Sequence, residues 1–108
     1  MMFTINGEYW QVAIVPPNHS SLLMPNGIFA LGVCDDEFKT ICISDALHGE
    51  MFEQVLCHEL VHACMFAYNV RLEHYEEELV AEIISVFGEE IIDISDAVFN
   101  RIAKGRYK

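Results

Sequence analysis

Basic residues are scarce in this chain. Six lysines and arginines stand against seventeen aspartates and glutamates, which gives a formal net charge of −11 at pH 7. Nucleic-acid binding needs a basic face to neutralise phosphates, so the charge balance disfavours nucleic acid as a partner. Four of the six cations crowd the last eight positions, where positive charge suits the C-terminal dipole of a helix.

Long apolar runs are missing as well. The sequence has no stretch of eighteen apolar residues free of charge, which argues against a transmembrane helix. Residues 1–7 do not show a basic region followed by an apolar run, so we predict no secretory signal. We therefore expect a cytoplasmic protein with no membrane partner.

The four cysteines form no CxxC pair. In a reducing compartment such residues behave as small apolar groups, and we favour that interpretation over disulfides. Cys34 and Cys42 flank a predicted turn and could approach each other across a hairpin. Two ligands alone do not make a structural zinc site.

The first part of the chain is rich in β-branched and aromatic residues. The length of the whole chain suits one domain, residues 1–108, and 53% of the residues in the chain are hydrophobic. Asn6-Gly7 predicts a turn, followed by a strand at 8–15 that can be half of a hairpin. A helical turn is expected around 20–24, and two further strands are predicted at 28–34 and 40–44.

Helical periodicity takes over after residue 47. One helix is predicted from about 47 to 68, with Asn69 ending it. A second is predicted from 73 to 87 with Gly88 as its stop, and a last one from 93 or 95 to 104, closed by Gly105. Strands first and helices after predict an α+β fold: a small antiparallel or mixed sheet, a buried helix and two further helices.

The first of these helices contains the motif HExxH, His58-Glu59-Leu60-Val61-His62. Residues four apart share a helix face, so both imidazoles can reach one Zn²⁺. Glu59 lies about 100° round the helix from His58 and can accept a proton from a zinc-bound water. Apolar residues surround the helix axis, and burying these polar groups is costly unless a metal partners them.

A catalytic zinc usually has three protein ligands, and the third must come from elsewhere. Gly and His are absent where the longer HExxHxxGxxH motif would need them. Glu78 is the preferred third ligand, with Glu82 on the same helix face in position to hydrogen-bond a metal-bound imidazole. Glu77 and His74 are the reserves. A solvated acidic stripe is the competing interpretation, because an apolar face lies roughly opposite Glu78 and Glu82.

Residues 27–82 resemble the small gluzincin-type metallopeptidases of phages and mobile elements, especially the ImmA/IrrE-like group. The resemblance rests on the strand pair, on the HExxH segment and on the acidic segment 77–82. It implies a minimal zincin-like domain with Glu78 as third ligand and a regulatory protein as partner or substrate. The SprT-like proteases are the second resemblance, and they would favour His74.

These observations predict a zinc metallopeptidase that acts on a protein or peptide. His58, His62 and Glu78 would bind Zn²⁺, and Glu59 would be the catalytic base. An edge strand, 40–44 or 28–34, would align the substrate by β-augmentation. Tyr75 is the suggested oxyanion donor, with His74 and Tyr68 as others. The alternative is a zinc-stabilised structural or interaction module without turnover, in which a fourth protein ligand such as Cys57 or His74 fills the site.

Overall fold

The structure, a computed structural model, describes residues 1–106 and is an α+β fold, as predicted. Residues 107 and 108 of the predicted domain lie outside the described part. The elements follow the expected order, strands before helices. In chain order they are β1 (Met2–Ile5), β2 (Glu8–Val15), a 3-10 turn (Ser20–Leu22), β3 (Gly32–Asp35), β4 (Thr40–Ser44), α1 (Gly49–Ala67) and α2 (His74–Arg106).

The four strands form one mixed sheet in the order β1-β2-β4-β3. β1 and β2 make the predicted hairpin, and both turn residues, Asn6 (φ +50°) and Gly7 (φ +78°), adopt the left-handed conformation that such tight turns need. β4 pairs in parallel with β2 and antiparallel with β3. β3 is therefore an edge strand, whereas β4 lies inside the sheet.

The strand predicted at 28–34 is shorter than expected and begins at Gly32. Its first residues pair with the 3-10 region instead of with β4. Ala30 N–H donates to the Leu22 carbonyl, and Met24 N–H donates to the Ile28 carbonyl. The segment before β3 thus turns back to satisfy its backbone locally, which a β-rich composition does not reveal.

The two strand cysteines do not face each other. In the β3–β4 register Cys34 lies opposite Ile41, while Cys42 lies opposite Val33. Because side chains alternate between the two faces of a sheet, Cys34 points to the face that carries the core residue Ile41 and Cys42 points to the other face. All four cysteines are free.

Helix α1 packs on one face of the sheet. The buried cluster joins Trp10 of β2 and Ile41 and Ile43 of β4 to Ala63 of α1. The prediction of a helix buried on all sides was wrong in part, since Met51, Cys64 and Phe66 are exposed. A sheet of four short strands and one neighbouring helix cover only part of the circumference of α1.

The C-terminus of α1 is closed by local and distant contacts. Asn69 has the left-handed conformation (φ +55°), and Val70 N–H donates to the Met65 carbonyl, which satisfies a carbonyl of the last turn. The side chain of Asn6, in the β1–β2 turn, donates to the Ala67 carbonyl at 3.0 Å. Asn69 therefore ends the helix as predicted, and the hairpin holds that end in place.

Helix α2 is continuous where two helices were predicted. Gly88 lies in its interior, with no positive φ, and Gly105 does not end it either. A glycine costs a helix only about 1 kcal/mol relative to alanine, so it stops a helix only where the chain also needs a left-handed turn. α2 projects from the domain, which explains a radius of gyration of 16.6 Å against about 13 Å for a compact chain of 100 residues.

Neither α1 nor α2 combines the length and the apolar character that a helix needs to cross a lipid bilayer, and the same holds for the rest of residues 1–106.

Candidate metal centre

Two helices bring two imidazoles and a carboxylate together. His58 and His62 lie one turn apart on α1, and their ring centroids are 5.1 Å apart. Glu78, in the second turn of α2, reaches both rings. Its Oε2 is 3.2 Å from His58 Nε2, and its Oε1 is 3.0 Å from His62 Nε2. The two histidines of the motif and the preferred third ligand, Glu78, therefore meet at one point.

The spacing of these atoms suits a metal ion. One ligand atom from each of His58, His62 and Glu78 lies within 4.8 Å of the others. Ligands held tetrahedrally at about 2.0–2.1 Å from zinc are separated by about 3.3 Å, close to the two contacts above. Within residues 1–106 the group consists of these three residues. This group could hold a metal ion.

Glu77 makes the closest contact in the site. Its Oε2 is 2.7 Å from His62 Nδ1, and because a carboxylate only accepts hydrogen bonds, Nδ1 must be the donor. In the neutral imidazole Nε2 then carries a lone pair, and this lone pair faces the Glu78 carboxylate at 3.0 Å. Two facing lone pairs repel unless a cation, a proton or a metal ion, lies between them. This contact orients His62 as a metal ligand is oriented.

Glu82 lies beside the other imidazole, on the side predicted for it. Its Oε2 is 3.5 Å from His58 Nδ1, longer than the usual hydrogen bond, and its side chain is exposed. The tighter support of an imidazole comes instead from Glu77, which the sequence had offered only as a reserve ligand. The four-residue periodicity that favours Glu78 and Glu82 does not reveal a contact made by the residue before them.

Glu59 is buried next to this group, with 9% of its surface exposed. Burial raises the pKa of the Glu59 carboxyl, the imidazoles of His62 and His58 oppose that rise, and the charge of Glu78 adds to it. Its carboxylate is not one of the three clustered donors. A carboxylate beside a metal site but not bound to it is free to exchange a proton.

Two open clefts meet at the candidate metal centre, and each is lined by Gly32, His58 and Glu59. The larger, of about 400 Å³, extends along β3 toward the start of α2 and also contains His62 and Glu78. The smaller, of about 270 Å³, extends along the other side of Gly32 and contains Glu82. Edge strand β3 therefore borders the space in front of the histidines.

Gly32 sets how closely β3 approaches α1. A Cβ atom at this position would lie 2.7 Å from Val55 Cγ1 and 3.2 Å from Glu59 Cγ. Both distances are shorter than ordinary contacts, so a methyl group must displace the Val55 and Glu59 side chains or the backbone that carries them. The absence of a side chain at Gly32 thus lets β3 lie directly against the side chains of Val55 and Glu59.

The variant Gly32→Ala is expected to lower the free energy of unfolding by about 1–3 kcal/mol because it overpacks this contact. Urea unfolding followed by circular dichroism measures the change. The matched control is Gly105→Ala, where a Cβ meets open space in a helix and stability is expected to stay the same or rise. Equal effects of the two substitutions would contradict the close approach at Gly32.

Tyr75, the suggested oxyanion donor, does not reach the clefts. It is 75% exposed, and it points away because it follows His74 by about 100° around α2. His74 lines the larger cleft, while Tyr68 and Cys57 line an apolar groove on the other side of the helix pair. Among the donors named from the sequence, His74 is the one that shares a cleft with His58, His62 and Glu78.

Cys34 lines the larger cleft from β3. Burial raises the pKa of its thiol to about 12, and the charges of Glu59, Asp36, Asp35 and Glu77 add to the rise. The thiol therefore stays protonated at neutral pH and is a poor nucleophile.

Comparisons with protein-family models, with curated proteins and with solved structures find no match for this chain. The chemistry of the centre is therefore inferred from its own residues. Those residues are two imidazoles and a carboxylate at metal-binding distances, a carboxylate that orients one imidazole, and a buried glutamate beside them.

Proposed function

We propose that this protein is a zinc-dependent metallopeptidase that hydrolyses a peptide bond in a protein or peptide substrate. The observation that carries the proposal is the convergence of His58, His62 and Glu78 on one point beside the buried Glu59. Two nitrogens and one carboxylate oxygen form a donor set that zinc accepts in catalytic sites. The resemblance to ImmA/IrrE-like peptidases supports the same activity.

Zinc, when bound, supplies a Lewis acid that makes a water molecule acidic enough to lose a proton near neutral pH. His58, His62 and Glu78 would hold the ion, and Glu77 fixes the ring of His62 through Nδ1. Glu59 accepts the proton of the attacking water and then delivers it to the leaving amine. Its desolvated carboxyl, with a raised pKa, suits both steps because it holds a proton more readily than an exposed glutamate does.

We infer that the substrate lies along β3. This strand is an edge of the sheet, so its outer backbone groups can pair with an extended peptide. β4, the other strand considered from the sequence, lies inside the sheet between β2 and β3 and has no edge to offer. A peptide beside Gly32 would pass in front of Glu59, since both residues line the two clefts.

His74 is the residue we favour for stabilising the oxyanion, in place of Tyr75. It lines the larger cleft together with His58, His62 and Glu78. The tetrahedral intermediate of peptide hydrolysis carries negative charge, which an N–H donor stabilises. Tyr75, in contrast, is exposed to solvent.

A zinc-stabilised module without turnover fits these residues less well. Such a site would use a fourth protein ligand, and within the described residues the group holds three. Cys57 lines the apolar groove on the other side of the helices. Open clefts on both sides of Gly32 give a substrate access that a closed structural site would not need.

A cytoplasmic location is part of the proposal. The four free cysteines suit a reducing compartment. A regulatory protein remains the proposed kind of substrate, on the resemblance to mobile-element peptidases.

The activity can be tested with a peptide library derived from a bacterial proteome. Purified protein is incubated with the library after removal of metal and after addition of zinc, and new N-termini are identified by mass spectrometry. We expect new N-termini that depend on zinc. Zinc binding without any cleavage would favour the structural module, and the absence of zinc binding would reject both.

The variant Glu77→Gln is expected to weaken zinc binding by about 10- to 100-fold, the usual cost of removing a partner that orients a ligating histidine. Glutamine keeps the size, but its amide oxygen is uncharged and accepts the Nδ1–H hydrogen bond more weakly than the carboxylate does. A competition titration with a chromogenic chelator measures the affinity. Glu76→Gln is the matched control, because its exposed side chain lies one position earlier on α2. Equal affinities of the two variants would remove Glu77 from the site.

A further inference from the structure

An unbroken apolar stripe runs along the projecting part of α2. Its members are spaced alternately by four and three residues, which keeps them on one side of a helix over about 27 Å. They are Val80, Ile84, Phe87, Ile91, Ile94 and Val98. Val80 is half-buried, and the other five side chains are exposed.

Other faces of α2 lack such a stripe. Parallel rows at the same spacing are interrupted by Glu90, by Asp93 or by Ser95. Residues 89–105, except Ala103, are exposed, so this half of the helix has almost no cover from the domain. An isolated helix gains little stability in water, and exposed isoleucines at regular spacing favour association with another surface.

The stripe leads into an apolar groove between α1 and α2. Val80 and Ile84 form one wall, and Val61 and Cys64 of α1 belong to the opposite wall. The groove has a volume of about 510 Å³ and also contains Cys57 and Tyr68. A helix lying on the stripe would therefore continue into a cleft that is already apolar.

The charges of α2 indicate which helix could lie on the stripe. Residues 74–96 contain eight acidic residues and no lysine or arginine, whereas Arg101, Lys104 and Arg106 follow at the C-terminal end. Two copies side by side in parallel would place acid against acid and base against base. Two antiparallel copies place the basic end of each helix beside the acidic start of the other.

We propose that the protein forms a homodimer through antiparallel pairing of the α2 stripes. One register aligns the whole stripe with itself. Val80 then faces Val98 of the second copy, Ile84 faces Ile94, and Phe87 faces Ile91, and each pair occurs twice around the twofold axis. Such a six-layer seam has the alternation of a two-stranded coiled coil.

The same register fixes the flanking positions. Lys104 lies beside Glu76 of the second copy, where opposite charges attract, and Glu90 lies beside its own equivalent, where like charges repel. Gly88 meets its own equivalent on the other flank, and its lack of a side chain lets the helices approach closely. The end of the second helix, with Ile94 and Val98, covers the apolar groove.

Dimerisation leaves the metal centre open. The stripe and the groove use Val80 and Ile84, whereas Glu78, Glu82 and Ser85 line the clefts in front of the histidines. The two features therefore lie on different sides of the helix pair. The dimer is independent of the proposed peptidase activity, and each can fail without the other.

Sedimentation velocity of the full chain over a range of concentrations tests the dimer, with Ile91→Glu and Ile92→Glu as a matched pair. The two positions are adjacent and almost equally exposed, 57% and 59%, but only Ile91 belongs to the stripe. We expect a dimer for the wild type, at least about tenfold weaker association for Ile91→Glu, which buries a charge in the seam, and little change for Ile92→Glu. Circular dichroism checks that both variants remain folded.

Charge reversal tests the antiparallel orientation. Lys104→Glu is expected to weaken the dimer by about three- to tenfold, because it reverses two exposed ion pairs. Adding Glu76→Lys in the same chain should restore the association. A wild type that stays monomeric at high micromolar concentration, or equal effects of the two isoleucine variants, would overturn the proposal. Failure of Glu76→Lys to rescue Lys104→Glu would overturn the antiparallel register.

Discussion

Replacement of Glu59 by glutamine is expected to abolish peptide hydrolysis and leave zinc binding unchanged. Glutamine has the same size and fits the same buried position, but its amide cannot accept the proton of water. A positioned general base contributes about 10²- to 10⁴-fold to a hydrolytic rate, so the loss should be at least of that order. Initial rates on a cleaved peptide from the library assay, at saturating zinc, measure it.

The control for this variant is Glu53→Gln on the same helix. Glu53 is exposed, and its carboxylate is not among the donors of the metal centre. The activity of the Glu53→Gln protein should equal that of the wild type. A Glu59→Gln protein that cleaves at the normal rate would remove Glu59 from the mechanism, and one that no longer binds zinc would make Glu59 a ligand instead of a base.

Removal of one imidazole should lower the affinity for zinc more than any other substitution considered. His58→Ala is expected to weaken zinc binding by more than about a hundredfold, since even the loss of a residue that only orients a ligand costs 10- to 100-fold. Elemental analysis of the purified protein and a chelator competition measure the loss. Glu78→Gln should lower the affinity in the same way if Glu78 is the third ligand.

Zinc should also stabilise the fold, because an ion that binds only the native state shifts the unfolding equilibrium. At a free concentration one hundred times the dissociation constant, the gain is about 2.7 kcal/mol. Differential scanning calorimetry with zinc and with EDTA should show this gain as a higher melting temperature for the wild type and not for His58→Ala.

His48→Ala is the matched control for the metal experiments. His48 precedes α1, is exposed and makes no capping hydrogen bond with its side chain. The His48→Ala protein should keep both the affinity for zinc and the stabilisation by zinc. A His58→Ala protein that binds zinc like the His48→Ala protein would contradict the metal centre altogether.

The parts of the structure that follow from local chemistry were predictable from the sequence. Asn6-Gly7 specifies a tight turn, β4 is apolar and β-rich, and Asn69 can adopt the left-handed conformation that ends α1. The proximity of the two imidazoles was equally predictable, because the spacing of His58 and His62 on a helix fixes their relation without any knowledge of the fold.

Features that depend on tertiary packing were harder to predict. Gly88 resembled a helix stop because the sequence does not reveal the conformation that the glycine adopts. The exposure of apolar residues on α1 and α2 was missed because periodicity shows which residues are apolar and not what covers them. The contact of Glu77 with His62 depends on the angle at which α2 crosses α1, which no spacing within one helix encodes.

The parallel pairing of β2 with β4 has a consequence for how the chain folds. The β1–β2 hairpin can form as soon as residues 1–15 exist, but β4 joins it only after a connection of more than twenty residues has closed, and such non-local pairing slows folding. α1 packs on the sheet formed by this pairing, and Glu78 reaches the histidines from α2, later in the chain. During synthesis on the ribosome, the two histidines therefore emerge before Glu78, the carboxylate that joins them in the candidate metal centre.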